Sequence, residues 1–246
     1  MSTPLASRLA LVTGASTGIG RAITLDLARA GAEIIAVALP NTGLDTLATE
    51  VAAMGGVIAT VELDLKDTAG IESLAHRVAS EHGKLDIFVG NAGIAALKTR
   101  LADTALHAFT DIISVNVVAN FQFIRCLEPL LRKSDAGRAV FTTSSVAHRA
   151  PALHGPYSSS KAALDTLVRV WSAELADTNI CANLFSPGPV RTQMRTTIIE
   201  GEDPNTLPPP EAIAAAMLPM CLPTWTQSGG IYDFRAKVLQ RVQSPA

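Results

Sequence analysis

Tyr157 and Lys161 stand four residues apart in the run Tyr157-Ser158-Ser159-Ser160-Lys161. On a helix that spacing puts two side chains one above the other on the same face, so a phenol and an ammonium can address a single point. A free phenol, with a pKa near ~10, exchanges protons poorly at neutral pH, and a nearby cation favours its phenolate. The pair is therefore expected to lower the Tyr157 pKa and to make the phenol a general acid or base. A hydroxyl run, Thr142-Thr143-Ser144-Ser145, precedes it in the chain. Neighbours at a strand end point to opposite faces, so Ser144 and Ser145 do not both aim at one substrate oxygen without a bend.

A second stretch has a different chemistry. In Thr13-Gly14-Ala15-Ser16-Thr17-Gly18-Ile19-Gly20 the glycines permit a tight turn and a close approach of a diphosphate to the backbone. The N–H groups at the start of a following helix add partial positive charge, so a phosphate-bearing ligand fits there. The spacing is GxxxGxG rather than GxGxxG, and its setting between a strand and a helix is what gives it meaning.

The elements that must position these residues alternate. Short β-branched apolar runs at 9–13, 33–39, 57–63, 85–89, 138–143 and 180–185 predict strands, with a short last strand at 231–234. Between them the apolar residues step by three and four. Ile19, Ile23 and Leu27 mark a first helix closed by Gly31, Leu44, Leu47, Val51 and Met54 a second, and Ile71, Leu74 and Val78 a third. The spacing predicts a long helix over 110–132, one carrying Tyr157 with the buried stripe Leu164, Val168, Trp171 and Leu175, and a final one over 211–217. Pro156 suits the first turn of the Tyr157 helix, where a missing N–H costs nothing. Strand-helix alternation of this kind predicts an α/β fold: a Rossmann-like, doubly wound parallel sheet of about seven strands with helices on both faces. Residues 1–246 read as a single domain, with a proline-rich substrate loop at about 191–210.

Composition narrows the partner. The chain has 246 residues, 48% of them hydrophobic and 17% charged, and a formal charge of -2 that offers no broad attraction for nucleic acid or an anionic membrane. A small-molecule substrate is expected. Cys126, Cys181 and Cys221 are far apart, and with the five histidines they form no spacing that binds metal, so no metal is expected. His148 and His154 fall between Ser144 and Tyr157 and read either as liners of the substrate cleft or as surface or loop histidines, not as catalytic ones. No secretion signal opens the chain and no apolar run reaches membrane-spanning length, which predicts a cytoplasmic protein.

Taken together the motifs resemble those of the classical short-chain dehydrogenase/reductase family over nearly the whole chain. They are Thr13-Gly14-x-x-x-Gly18-x-Gly20, Asp64-Leu65, Asn91-Ala92-Gly93, Asn116, Ser144, Tyr157, Lys161 and Pro187-Gly188-Pro189-Val190-x-Thr192, in that order. The resemblance implies an NAD- or NADP-dependent oxidoreductase that interconverts an alcohol and a ketone by hydride transfer. It also implies a catalytic tetrad on Asn116, Ser144, Tyr157 and Lys161. Tyr157 would exchange the proton and Ser144 would bind the substrate oxygen. Lys161 would tune Tyr157 and hold the nicotinamide ribose, and Asn116 would hold a water that links Lys161 to solvent. Ser144 is chosen over Ser145 because its distance from Tyr157 follows the family pattern.

The cofactor contacts it implies are Gly14, Ser16, Thr17, Gly18, Ile19, Gly20, Asp64, Leu65, Asn91, Ala92, Gly93, Tyr157, Lys161, Pro187, Gly188, Val190 and Thr192. Asp64 is read either as a partner of the adenine amino group or as an acceptor for backbone donors before the third helix. Asn91-Ala92-Gly93 is a floor beneath the cofactor or an ordinary turn, and Thr192 a cofactor contact or an N-cap. Gly90 stands where many relatives carry a further Asn. The end of the second strand, Ala38-Leu39-Pro40-Asn41-Thr42, has neither the acid that favours NAD nor the arginine that favours NADP, so the preference is not assigned and weak or dual use is expected. Arg191 and Arg195 at the substrate loop either attract an acidic substrate or are solvated. The family commonly forms tetramers through the helices around Asn116 and Tyr157, so a homo-oligomer, dimer or tetramer, is expected. The alternative reading is a dinucleotide-binding regulatory protein without turnover.

Overall fold

The structure, a computed structural model, describes residues 3–95, 97–199 and 201–241. Its elements follow the alternation of the chain. Strand β1 (Leu9–Thr13) leads to helix α1 (Gly18–Arg29), β2 (Glu33–Ala38) to α2 (Leu44–Ala53), and β3 (Ile58–Glu62) to α3 (Thr68–Glu81). β4 (Ile87–Gly90) precedes α4 (Leu106–Ile113) and α5 (Ala119–Leu131), which a five-residue π turn, Ser114–Val118, joins. β5 (Arg138–Thr142) is followed by the short α6 (Val146–Arg149) and by α7 (Gly155–Glu174). β6 (Cys181–Ser186), α8 (Gln193–Ile198), α9 (Pro210–Cys221), β7 (Ile231–Asp233) and β8 (Val238–Gln240) complete the order.

The eight strands among the described residues lie in one sheet of order β3-β2-β1-β4-β5-β6-β7-β8, parallel throughout except for the antiparallel β8. Side chains alternate across it, and the alternation feeds two cores. Ala10, Val12, Ile34, Ala36 and Val89 pack on one face against α1, α2 and α9, around Ile23, Leu47 and Met217. Leu9, Leu11, Ile35, Val37 and Phe88 pack on the other against α3, α5 and α7, around Ile71, Phe123 and Leu164. Burial on both faces is why these strands read as continuous apolar runs.

The sheet has eight strands rather than about seven. β8 is a three-residue edge strand, and its hairpin has no glycine or asparagine to signal it; Lys237 takes the left-handed conformation instead, at φ 55°. The helix expected over 110–132 begins earlier, at Leu106, and contains the π turn, which leaves the apolar spacing almost unchanged and so is invisible to periodicity. The proline-rich segment also holds α8, and its residue 200 lies outside the described residues.

The chain runs from β1 outward to β3 and then returns to β4 on the other side of β1. Between the C-terminal ends of β1 and β4 the order reverses, and such a crevice is where an open α/β sheet takes its ligand.

Candidate active site

The crevice is built by the turn after β1. Gly14 and Gly18 adopt φ 63° and 53°, a region that an L side chain enters only with strain. A Cβ on Gly20 would stand 2.0 Å from the Gly14 carbonyl oxygen, so the turn closes on itself only around a bare glycine. Thr17 precedes α1 without capping it with its side chain, which leaves the first N–H groups of the helix free to donate into the crevice. From the neighbouring strand, the N–H groups of Asn91 and Ala92 both donate to the Thr13 hydroxyl at 3.1 Å, and Asn91 Nδ2 donates to the Thr13 carbonyl at 3.2 Å. The small residues after β4 thus lock the turn in place, a duty beyond that of floor or ordinary turn. A cleft of about 280 Å³ opens here, and Gly14, Thr17, Asn91 and Gly93 share its wall with Ser144, Tyr157 and Lys161.

Tyr157 and Lys161 project from the first turns of α7, one turn apart, where Pro156 stands near the helix start as its missing N–H allows. Lys161 Nζ donates to the Thr142 carbonyl at 2.8 Å and lies over the Tyr157 ring, 5.7 Å from its centroid. It is buried with this single acceptor among the described residues, so the rest of its donor capacity is open to a ligand in the cleft. Asn116 sits in the π turn. Its side chain donates to the Ile94 carbonyl at 2.9 Å and to Ser160 Oγ at 3.0 Å, and accepts from the Ile94 N–H at 2.9 Å. A Cβ on Gly93 would stand 3.1 Å from Asn116 Oδ1 and 3.4 Å from Lys161 Nζ, so this glycine lets the two approach.

Electrostatics overturn one expectation. The Tyr157 pKa is not lowered: burial of the phenol pushes it up to about 12, opposed by the adjacent Ser144 hydroxyl. Lys161 is itself brought down to about 8 by burial, with the Asp165 charge opposing the fall. The ammonium lies over the ring rather than tuning the oxygen, and desolvation dominates both groups. The resting phenol is therefore a protonated acid.

The two serines differ in their surroundings. Ser145 precedes α6, accepts from Arg149 Nη2 at 2.9 Å and lies away from the cleft wall, whereas Ser144 lines the cleft beside Tyr157.

A phenol, a hydroxyl and an ammonium around one cleft, beside a glycine turn shaped for a diphosphate, is a constellation that can be matched to known proteins. The short chain dehydrogenase family profile matches residues 8–203. The chain belongs to the short-chain dehydrogenase/reductase family. It is 35% identical over 212 residues to the uncharacterized oxidoreductase YciK of Escherichia coli, spanning 85% of this chain and 84% of that protein. To the 3-oxoacyl-[acyl-carrier-protein] reductase FabG of Thermotoga maritima it is 31% identical over 198 residues, 80% of this chain and 79% of the other. A short chain dehydrogenase from Shigella flexneri 2a, crystallised in complex with NADP, superposes with a TM-score of 0.91 at 31% identity, covering 96% of this chain and 100% of that one.

Within this member of the short-chain dehydrogenase/reductase family the other expected cofactor contacts divide. Ile19, Ala92, Pro187, Gly188, Val190 and Thr192 line the cleft. Ser16 and Leu65 are buried outside its wall. Asp64 also lies outside it, and its Oδ1 accepts from the Lys66 N–H at 2.9 Å, the backbone-acceptor arrangement. Thr192 both faces the glycine turn and caps α8 by accepting from the Arg195 N–H at 3.3 Å. Gly90, in place of the family's further Asn, makes room for Phe141 and Asn120, whose atoms lie 2.7 and 2.8 Å from where a Cβ would be. Arg195 is half-exposed at the cleft wall, where Nε and Nη2 grip Glu202 at 2.7 and 2.8 Å. His154 lines the cleft, whereas His148 reaches toward the buried Asp165, a partner that sequence reading missed. Asp165 falls at i+8 from Tyr157, and that spacing is the signal by which it could have been found.

Proposed function

We propose that this chain is an NAD- or NADP-dependent oxidoreductase that interconverts an alcohol and a carbonyl compound, with Tyr157 exchanging the proton. The observation that carries the reading is that Ser144, Tyr157 and Lys161 share one cleft wall with the glycine turn. A bound nicotinamide supplies or accepts the hydride.

Each residue then has a task. Gly14, Thr17, Gly18 and Ile19, at the uncapped start of α1, hold the diphosphate by backbone N–H groups. Ser144 donates a hydrogen bond to the substrate oxygen, a contact that strengthens as negative charge gathers there. Tyr157, held protonated by burial, gives that oxygen its proton in the reductive direction. Lys161 turns its open donors to the ribose hydroxyls, and Asn116 fixes the Ile94 backbone and Ser160 beneath them. Bonded this way, the Asn116 side chain is a brace; any water it holds would bind at its backbone carbonyl, where Asn120 Nδ2 already donates at 2.8 Å.

The neutral end of β2 supports use of both nucleotides, and the NADP carried by the Shigella relative supports at least the phosphorylated one. Thr42 there is occupied in a local turn, donating to the Leu39 carbonyl at 2.6 Å. Leu106, Phe121 and Val170 leave the outer faces of α4, α5 and α7 apolar, which suits a homo-oligomer. Three free cysteines suit a reducing, cytoplasmic compartment, and no helix among the described residues is long and apolar enough to cross a membrane. The reading without turnover has nothing in the site on its side, because nucleotide binding alone needs no serine and phenol facing the cleft.

The test is a panel of ketones, aldehydes and alcohols assayed with both nucleotides by nicotinamide absorbance. Turnover of at least one carbonyl compound is expected. Nucleotide binding with silence across the panel would overturn the enzyme assignment.

A further inference from the structure

The reaction uses Tyr157 and Lys161 but leaves a third residue of the same helix face without a task. Asp165 follows Lys161 by one turn and is buried at 3% exposure. An isolated carboxylate in such a place is costly, so its contacts should say why it is there. Its Oδ1 accepts a short hydrogen bond from the Thr143 hydroxyl. His148 Nε2 comes to 3.0 Å from its Oδ2 from the exposed side, and no other donor reaches that oxygen among the described residues.

These contacts surround the reacting groups. Thr143 lies between Thr142, whose carbonyl holds Lys161 Nζ, and Ser144, which stands beside Tyr157. The end of β5 is thus tied to α7 by two successive residues, Thr142 to Lys161 and Thr143 to Asp165. The groups against Lys161 are the Tyr157 ring on its own helix, the Thr142 carbonyl at the end of β5, and Gly93 and Asn116 from the β4 side, and Asp165 stands one turn further along α7, acting on the ammonium through its charge and not by contact. His148 on α6 faces Asp165. Of all these, Asp165 is the one carboxyl group, and Tyr157 keeps its proton.

We propose that Asp165 is a positioning residue: its buried carboxylate is the counter-charge that keeps Lys161 an ammonium, and its grip on Thr143 holds the Ser144 backbone against α7. This rests on the reading of Lys161 as the cofactor-holding cation, and it assigns a cause to that cation's charge. Burial works against the charge on both partners, raising the Asp165 carboxyl and lowering the Lys161 ammonium, and each ion favours the other's charged form.

The test needs neither cofactor nor turnover, so its outcome is separate from that of the substrate panel. The chain has six lysines, few enough for Lys161 to be followed by NMR through a carbon-13 label at Cε, with Lys161→Met as the assignment control. In Asp165→Asn the Lys161 proton affinity should fall about tenfold, roughly one pH unit in midpoint. Thr143→Val removes the hydrogen bond that most favours the ionised carboxylate, so its midpoint should fall in the same direction and by no more than in Asp165→Asn. An unmoved midpoint in Asp165→Asn, or a larger fall in Thr143→Val than in Asp165→Asn, would overturn the proposal. Should Asp165→Asn fail to fold, the unmodified chain carries the same test. Its Lys161 resonance should show a second inflection at the pH where Asp165 takes up a proton, and a flat trace through that pH refutes the coupling. In the working enzyme the alkaline limb of nucleotide affinity should shift downward by the same tenfold in Asp165→Asn, a change that loss of packing alone would not produce.

Discussion

Replacing Lys161 with Met should remove one contribution to stability that grows between about pH 7 and about pH 10. Burial brings the Lys161 pKa from 10.5 to about 8, so keeping its proton in the folded state at neutral pH costs about 3 kcal/mol. A lowered folded pKa on a cation means that this cost is fully present below about 8 and is relieved as pH rises toward 10.5. By about pH 10 the folded lysine has lost its proton while the unfolded one largely keeps it, and about 2.5 kcal/mol is recovered. Tyr157 and Cys221, both pushed up to about 12 by burial, act in the opposite direction, because their unfolded forms ionise first. Both are present in the variant and cancel in the comparison. The hydrogen bond to Thr142 is lost with the amine, and its change in strength on deprotonation belongs to the same Lys161 titration. The assay is urea unfolding of both chains at the two pH values. The parent should gain about 2.5 kcal/mol more than Lys161→Met on the alkaline step, and parallel behaviour within about 0.5 kcal/mol would refute the burial of a charged ammonium.

Two substitutions probe the rest of the site. Gly20→Ala places a methyl 2.0 Å from the Gly14 carbonyl oxygen, so the turn must open; calorimetry should show nucleotide affinity down at least tenfold, and melting should show about 1–3 kcal/mol of destabilisation. Ser144→Ala should lower kcat by about 10²–10³ with nucleotide affinity unchanged, whereas Ser145→Ala, which loses only a contact to Arg149, should stay within about threefold on the same steady-state assay.

The parts of this molecule that were legible in the sequence are those that repeat or punctuate. Leu9 to Thr13 reads as a buried strand because both its faces are covered, and Gly31 reads as a helix stop because it must take a positive φ. The Tyr157–Lys161 pair and the glycine turn were legible because helix geometry and backbone sterics act over a few residues. What depends on depth was not. Nothing in a tyrosine and a lysine four apart says that both are desolvated, so the direction of the Tyr157 shift was read the wrong way. Asp165 looks like an ordinary polar residue on a solvated helix face until α6 and the end of β5 are laid over it. Ser144 and Ser145 are chemically alike and separate only through Arg149, a partner set by the short α6 that periodicity does not reveal. The π turn at Asn116 is hidden for a related reason, since one widened turn hardly alters the spacing of apolar residues.

The most direct measurement is on Tyr157→Phe, which keeps the ring under the Lys161 ammonium and removes only the exchangeable proton. Nucleotide affinity by calorimetry should stay within about threefold of the parent, while turnover of the best carbonyl compound falls by at least about 10²-fold at every pH tested. Turnover within about tenfold of the parent would contradict the assignment of Tyr157 as the proton donor.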